Sequence, residues 1–116
     1  MSAIKFEKKM LIFNQKAFLV SWKDLLKDEE GEPYEAFTSE SRSVQISGTF
    51  GNGAAMLIEG SNDGVNWFTL SDPQGYEISK TSPSLEAVLE SVRFIRPRVY
   101  GGGESTSLNV HLLIKE

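Results

Sequence analysis

The chain has 116 residues, the length of one domain with a single hydrophobic core, and its 40% apolar residues are enough to form one. It has no cysteine and one histidine, which excludes a disulfide framework, a thiolate nucleophile and the usual zinc ligand sets. The formal net charge of −4 argues against DNA as a partner.

The N-terminal region does not resemble a targeting segment. No stretch approaches the ~20 apolar residues of a membrane span, and no cleavage site follows the short apolar run 10–13. We therefore expect assembly in a cytoplasm and no membrane partner.

Residues 1–16 are basic and apolar, with four lysines against one glutamate. Ile4 and Phe6 supply apolar side chains close to the start. Two alternatives fit this composition: an edge strand of the chain's own fold, or an arm that adds a strand to a neighbouring molecule. A strand at Phe18–Lys23 follows.

Residues 24–40 are strongly acidic, with seven carboxylates against the single Lys27. Gly31 and Pro33 interrupt the segment. This composition predicts a long solvated loop.

The segment 44–70 has the alternation of β-strands. Val44 and Ile46 share one face of a strand, and the run 51–53 (Gly-Asn-Gly) predicts a tight hairpin turn to a return strand at 54–60. A second turn at 61–64 leads to a third strand, from Trp67 to Leu70, which is followed by a turn at 72–75.

The remainder of the chain predicts one short helix and two longer strands. Residues 83–90 contain good helix formers, with Ser82 as a cap and Pro83 at the first helical position, after a short strand at 76–79. Pro97 places the strand 92–100 at a sheet edge or a bulge. The run 101–103 is a glycine turn. The final strand has one apolar row: Leu108, Val110, Leu112 and Ile114.

These elements together predict an all-β fold. About seven or eight short antiparallel strands, with one helix near 83–90, indicate a β-sandwich or jelly-roll-like domain over 1–116.

The sequence gives little support for a catalytic site or a metal site. His111 lies in the middle of a strand without an identified acid–base partner, and no Gly-x-Ser-x-Gly elbow is present. Asn62 and Asp63 offer too few oxygens for calcium and fit a turn instead. We expect a non-enzymatic protein with no catalytic residue, no cofactor and no metal.

Arginine and aromatic side chains cluster near residue 96. Arg93, Arg96 and Arg98 lie within six residues, and the last two share a strand face with Phe94 and Tyr100. This composition is typical of interface hot spots. The alternative is internal pairing with the carboxylates of residues 24–40.

The order of several segments resembles small virion proteins of tailed bacteriophages, over roughly residues 18–114. The segments are Ser43–Gly51, Ile58–Gly64 with Trp67, Asp72–Gly75, and Arg93–Val99 with the glycines that follow. This resemblance implies a β-sandwich that binds rather than catalyses, as capsid decoration or cement proteins do on the outside of the head shell.

The function expected from this resemblance is bridging of major capsid protein subunits, by a homodimer or homotrimer on the outer surface of the virion. The expected contact residues are Ile4, Phe6, Arg96, Arg98 and Tyr100. Two alternatives remain: a tail-associated adaptor or fibre module, and a carbohydrate-binding sandwich with Trp22 or Trp67 as the stacking platform.

Overall fold

The computed structural model describes residues 3–11, 16–36 and 41–115, and every structural statement below refers to these ranges. Within them the chain forms strands and no helix. The strands are β1 (Phe6–Met10), β2 (Ala17–Leu25), β3 (Tyr34–Glu35), β4 (Ser41–Thr49), β5 (Ala55–Ser61), β6 (Phe68–Thr69), β7 (Ser79–Lys80), β8 (Ser84–Ala87), β9 (Phe94–Tyr100) and β10 (Ser107–Lys115).

The strands form two antiparallel sheets that pack together. The first sheet has the order β1-β2-β10-β4-β8. The second has the order β3-β9-β5-β6, with β7 also paired to β5. The predicted all-β sandwich is confirmed, and the described residues contain more strands than expected because β3 lies in the predicted loop and β8 in the predicted helix.

The core lies between the sheets and is made by the inward row of each long strand. The row predicted on β10 is confirmed, since Leu108, Val110, Leu112 and Ile114 are fully buried. Burying a side chain of this size stabilises the fold by roughly 1.5–3 kcal/mol. The other large, fully buried members are Val20, Trp22, Leu25, Val44, Ile46, Met56, Ile58, Ile78 and Ile95.

The predicted hairpin at 51–53 is wrong in its pairing. Gly51 and Gly53 do have positive φ, 71° and 70°, as a tight turn requires. The strands that they connect, however, lie in different sheets: β4 pairs with β10 and β8, and β5 pairs with β9 and β6. The turn therefore carries the chain from the first sheet to the second. The Gly-Asn-Gly run correctly predicted the backbone conformation of the turn, but it did not predict which strands pair on either side of it.

The predicted helix at 83–90 is also wrong. Residues 84–87 form the edge strand β8, in which Ser84 lies opposite Ile46 and Ala87 lies opposite Ser43. The backbone of this segment pairs with the otherwise open edge of β4, and this pairing overrides the helix propensity of the segment. Ser82 accepts a hydrogen bond from the Ser84 hydroxyl rather than capping a helix.

Residues 26–28 form an exposed turn, as the predicted solvated loop requires, but residues 29–36 do not form a solvated loop. Gly31, Tyr34 and Ala36 are buried, and residues 29–35 run along β9 as an irregular neighbour strand. A Cβ on Gly31 would lie 2.5 Å from Cδ1 of Trp22, so only glycine fits at this approach. Residues 37–40, which complete the predicted loop, lie outside the described ranges.

The position predicted for Pro97 is only partly right. The strand β9 is an inner strand of the second sheet, not an edge. Its β3 side is nevertheless thinly paired: Pro97 accepts a hydrogen bond there from the Gly31 amide, at 2.8 Å. The missing amide hydrogen of Pro97 thus faces an irregular segment, where no regular ladder is broken.

The described part of the N-terminal segment forms β1, the edge strand of the first sheet, and it pairs with β2 from Phe6 opposite Trp22 to Met10 opposite Phe18. Residues 1–2 and 12–15, which belong to the same predicted zone, are outside the described ranges. No helix among the described residues is long and apolar enough to cross a membrane.

Candidate protein interface

The outward face of β9 carries the arginine and aromatic cluster predicted from the sequence. Phe94, Arg96, Arg98 and Tyr100 alternate with buried residues along the strand, so they all point away from the core. Their neighbours across the β5–β9 ladder are, in order, Ser61, Glu59, Leu57 and Ala55. The Arg96–Glu59 pair therefore lies next to the Phe94–Ser61 row, and the neighbours of Arg98 and Tyr100 on β5 are aliphatic.

Arg96 is held by partners within the chain. Its Nε donates to Oε1 of Glu59 at 2.9 Å, and its Nη1 donates to Oε2 of Glu30 at 2.7 Å. Its guanidinium also lies 4.1 Å from the centroid of the Trp67 ring. The side chains of Arg96 and Glu59 are only 11% and 10% exposed, so this cluster is a nearly buried ion pair.

Arg93 is paired as well, but at the surface. Its Nε donates to Oε2 of Glu35 at 2.7 Å, and its guanidinium stacks on the ring of Phe94. Both charged side chains are about half exposed, at 52% and 45%. The internal pairing considered for the arginine cluster thus applies to Arg93 and Arg96.

Arg98 and Tyr100 differ from these two arginines. Arg98 lies opposite Leu57, and it forms no ion pair or side-chain hydrogen bond with the described residues. Tyr100 lies opposite Ala55 and is 64% exposed. Tyr100 is exposed, and Arg98, Leu57 and Ala55 are partly exposed around it. We call these four residues the Arg98–Tyr100 surface.

The two other expected contact residues pack against the chain's own core. Ile4 is half-buried, and its amide donates to the carbonyl of Glu30. Phe6 contacts the rings of Trp22 and Tyr34 edge-on, at centroid distances of 5.9 and 5.4 Å. Ile4 is separated from Arg98 by one segment only, because Ile4 bridges Gly31 while the neighbouring Glu30 bridges Arg98. Phe6, in contrast, lies against Trp22 and Tyr34 at the core.

The turn at 61–66 is organised by the Asp63 carboxylate. It accepts hydrogen bonds from the amides of Asn66 and Val65 and from the side chains of Asn66 and Ser61. These bonds hold the pKa of Asp63 well below its usual range. The contribution of the turn to stability is thus present above the ordinary pKa of the carboxyl and is lost as the pH falls through the lowered value.

No group of metal-ligating residues occurs among the described residues.

An open cavity of about 400 Å³ lies beside this turn, lined by Gly60, Phe68, Leu70, Glu90 and Val92 among others. Burial raises the pKa of the Glu90 carboxyl, but hydrogen bonds from Ser71 outweigh burial and lower it overall. Phe68 lies within the third strand predicted from the sequence, and as part of the edge strand β6 it is 69% exposed. Sequence reasoning missed this cavity, and no local pattern marks it.

The remaining candidate residues have structural partners. His111 shares a hydrogen bond of 2.7 Å between its Nδ1 and the Ser21 hydroxyl. Trp22 is fully buried and donates from Nε1 to the carbonyl of Glu32, so it offers no ring face to a sugar. Trp67 is half-buried beneath Arg96.

Comparison with known proteins gives no match: no family model, no curated protein and no solved structure is similar to this chain.

Proposed function

We propose that this protein is a non-enzymatic capsid decoration protein of a tailed phage, which binds the outer surface of the head shell and bridges major capsid protein subunits. The Arg98–Tyr100 surface is the observation that carries the proposal. It combines an arginine that has no ion pair among the described residues with an exposed tyrosine and two aliphatic side chains, on a sheet backed by a packed core.

The physical argument rests on how such surfaces bind. Arginine and tyrosine dominate binding hot spots because they offer large contact area together with hydrogen bonds. The backbone of a paired strand is already ordered, so binding restricts only the side chains and not the chain that carries them. On a lattice of identical subunits, a bridging molecule gains on the order of 10²–10⁴ in avidity from its second contact.

The Arg98→Ala and Tyr100→Ala variants test this surface. The measurement is the fraction of added protein that co-sediments with shells that lack it, as a function of protein concentration. Each variant is expected to weaken binding at least tenfold, since a hot-spot truncation costs about 2 kcal/mol or more.

Matched controls are available in the same chain. Arg93→Ala removes an arginine that pairs with Glu35, and Tyr76→Ala removes another exposed tyrosine, on the turn before β7. Both are expected to bind like the wild type. If Arg98→Ala and Tyr100→Ala also bound normally, the surface would be wrongly assigned, and absence of wild-type binding to any shell would refute the proposed function.

A further inference from the structure

Two positions in the chain have the sequence that favours a spontaneous reaction between a side chain and the backbone. Where asparagine or aspartate precedes glycine, the backbone nitrogen of the glycine can attack the side-chain carbonyl carbon, because glycine has no Cβ to obstruct the approach. Asn52-Gly53 and Asp63-Gly64 are the only such pairs in the chain. Their environments in the fold are opposite.

The reacting groups of Asp63-Gly64 are held by hydrogen bonds. The Asp63 carboxylate accepts from the side chains of Ser61 and Asn66 and from two backbone amides. The Gly64 amide, which would have to attack that carboxyl group, donates instead to the Ser61 hydroxyl at 2.8 Å. Ring closure at this pair requires these bonds to break first, so the fold protects it.

The reacting groups of Asn52-Gly53 are not held in this way. The Asn52 side chain is exposed and forms no hydrogen bond with the described residues, and the Gly53 amide donates none to them. A Cβ on Gly53 would meet nothing within 4 Å, so the backbone has open space in which to turn. The pair also lies between β4 and β5, where no ladder of hydrogen bonds restrains it.

We propose that Asn52 is a site of spontaneous hydrolytic deamidation in the folded protein. The Gly53 nitrogen loses its proton to water or hydroxide and attacks Cγ of Asn52, and the side-chain nitrogen leaves as ammonia. The product is a cyclic succinimide, which water opens at either carbonyl. Opening at Cγ gives aspartate, and opening at the backbone carbonyl gives isoaspartate, in which the chain continues through the former side chain. The sum is one water consumed and one ammonia released, with no oxidant or reductant.

The reaction places a new carboxylate beside the glycine turn that follows Tyr100. A Cβ on Gly103 would lie 4.0 Å from Cβ of Asn52, and a Cβ on Gly101 would lie 3.0 Å from the carbonyl oxygen of Gly53. Each modified copy therefore carries one more negative charge at this turn, on a chain whose formal net charge is −4. The reaction needs only water, so it does not depend on the proposed function.

The test is peptide mapping by mass spectrometry after incubation of the full chain near neutral pH, folded in one sample and unfolded by guanidinium chloride in the other. In the folded sample, position 52 is expected to become aspartate and isoaspartate at a rate within about threefold of that in the unfolded sample, because an unrestrained turn opens at almost no cost. Isoaspartate at Asp63 is expected to form at least about tenfold more slowly in the folded sample, since several hydrogen bonds must break first.

The variant Asn52→Gln is the matched control. It keeps the side-chain amide but would require a larger ring, so it is expected to remain unmodified at position 52 and to release much less ammonia than the wild type. Asn66, which precedes Trp67, serves as an internal control in the same digest and is expected to stay intact. An Asn52 that reacts only after unfolding, or an Asn66 that reacts as fast as Asn52 in the folded protein, would overturn the inference.

Discussion

Arg93, Arg96 and Arg98 lie within six residues of the chain, and their environments give them different roles. Arg93 is exposed beside Glu35, Arg96 is nearly buried with Glu59, and Arg98 has no ion pair among the described residues. A surface ion pair contributes little to stability, whereas removal of one partner from a buried pair leaves the other charge desolvated. Only Arg98 is therefore available for binding at no structural cost.

Removal of Arg96 is expected to destabilise the fold. Arg96→Ala strands the Glu59 carboxylate and should lower the free energy of unfolding by about 3 kcal/mol, measured by urea denaturation. The matched control, Arg93→Ala, should lower it by only about 0.5 kcal/mol. Equal effects of the two variants would contradict the buried ion cluster, and a loss of shell binding in Arg96→Ala must be judged against its stability.

At the scale of the element, the edge strand β1 belongs to the chain's own sandwich. Its backbone pairs with β2, and the Phe6 ring fills the space between Trp22 and Tyr34. An arm that reached over to a neighbouring molecule would have to give up these contacts.

Phe6→Ala measures how firmly β1 is held. The half-buried ring should contribute about 2 kcal/mol to the free energy of unfolding, somewhat less than a fully buried phenylalanine. The control Phe68→Ala removes a ring that is 69% exposed and should change stability by less than about 0.5 kcal/mol. An unchanged stability of Phe6→Ala would indicate that β1 does not dock in solution.

The strands that were predicted correctly have a long alternation of apolar and polar residues, and only one of their two faces is buried. β4, β9 and β10 alternate over seven to nine residues, and each inward row is buried as expected. The segment 83–90 was predicted as a helix because Leu85, Val88 and Leu89 also fit helical spacing. Its actual partner, the edge of β4, is about 40 residues away in sequence and leaves no local pattern.

The interface residues were less predictable than the strands. Sequence spacing correctly placed Arg96 and Arg98 on one outward face, but it could not show that Glu59, on another strand, neutralises one of them.

At the scale of the whole molecule, the chain passes repeatedly between its two sheets. β3, β4 and β5 alternate between the second, first and second sheets, as do β8, β9 and β10 between the first, second and first. These crossings tie both sheets to one core, so the Arg98–Tyr100 surface lies on the outward side of a sheet that the packed core supports.

The most direct test of the central claim is the copy number of this chain on purified particles, obtained by quantitative mass spectrometry against a known shell subunit. A decoration protein that bridges subunits over the head should be present in hundreds of copies per particle, with its density on the outer surface of the shell. A dozen copies or fewer would place it on the tail instead, and its absence from the particles would contradict the account altogether.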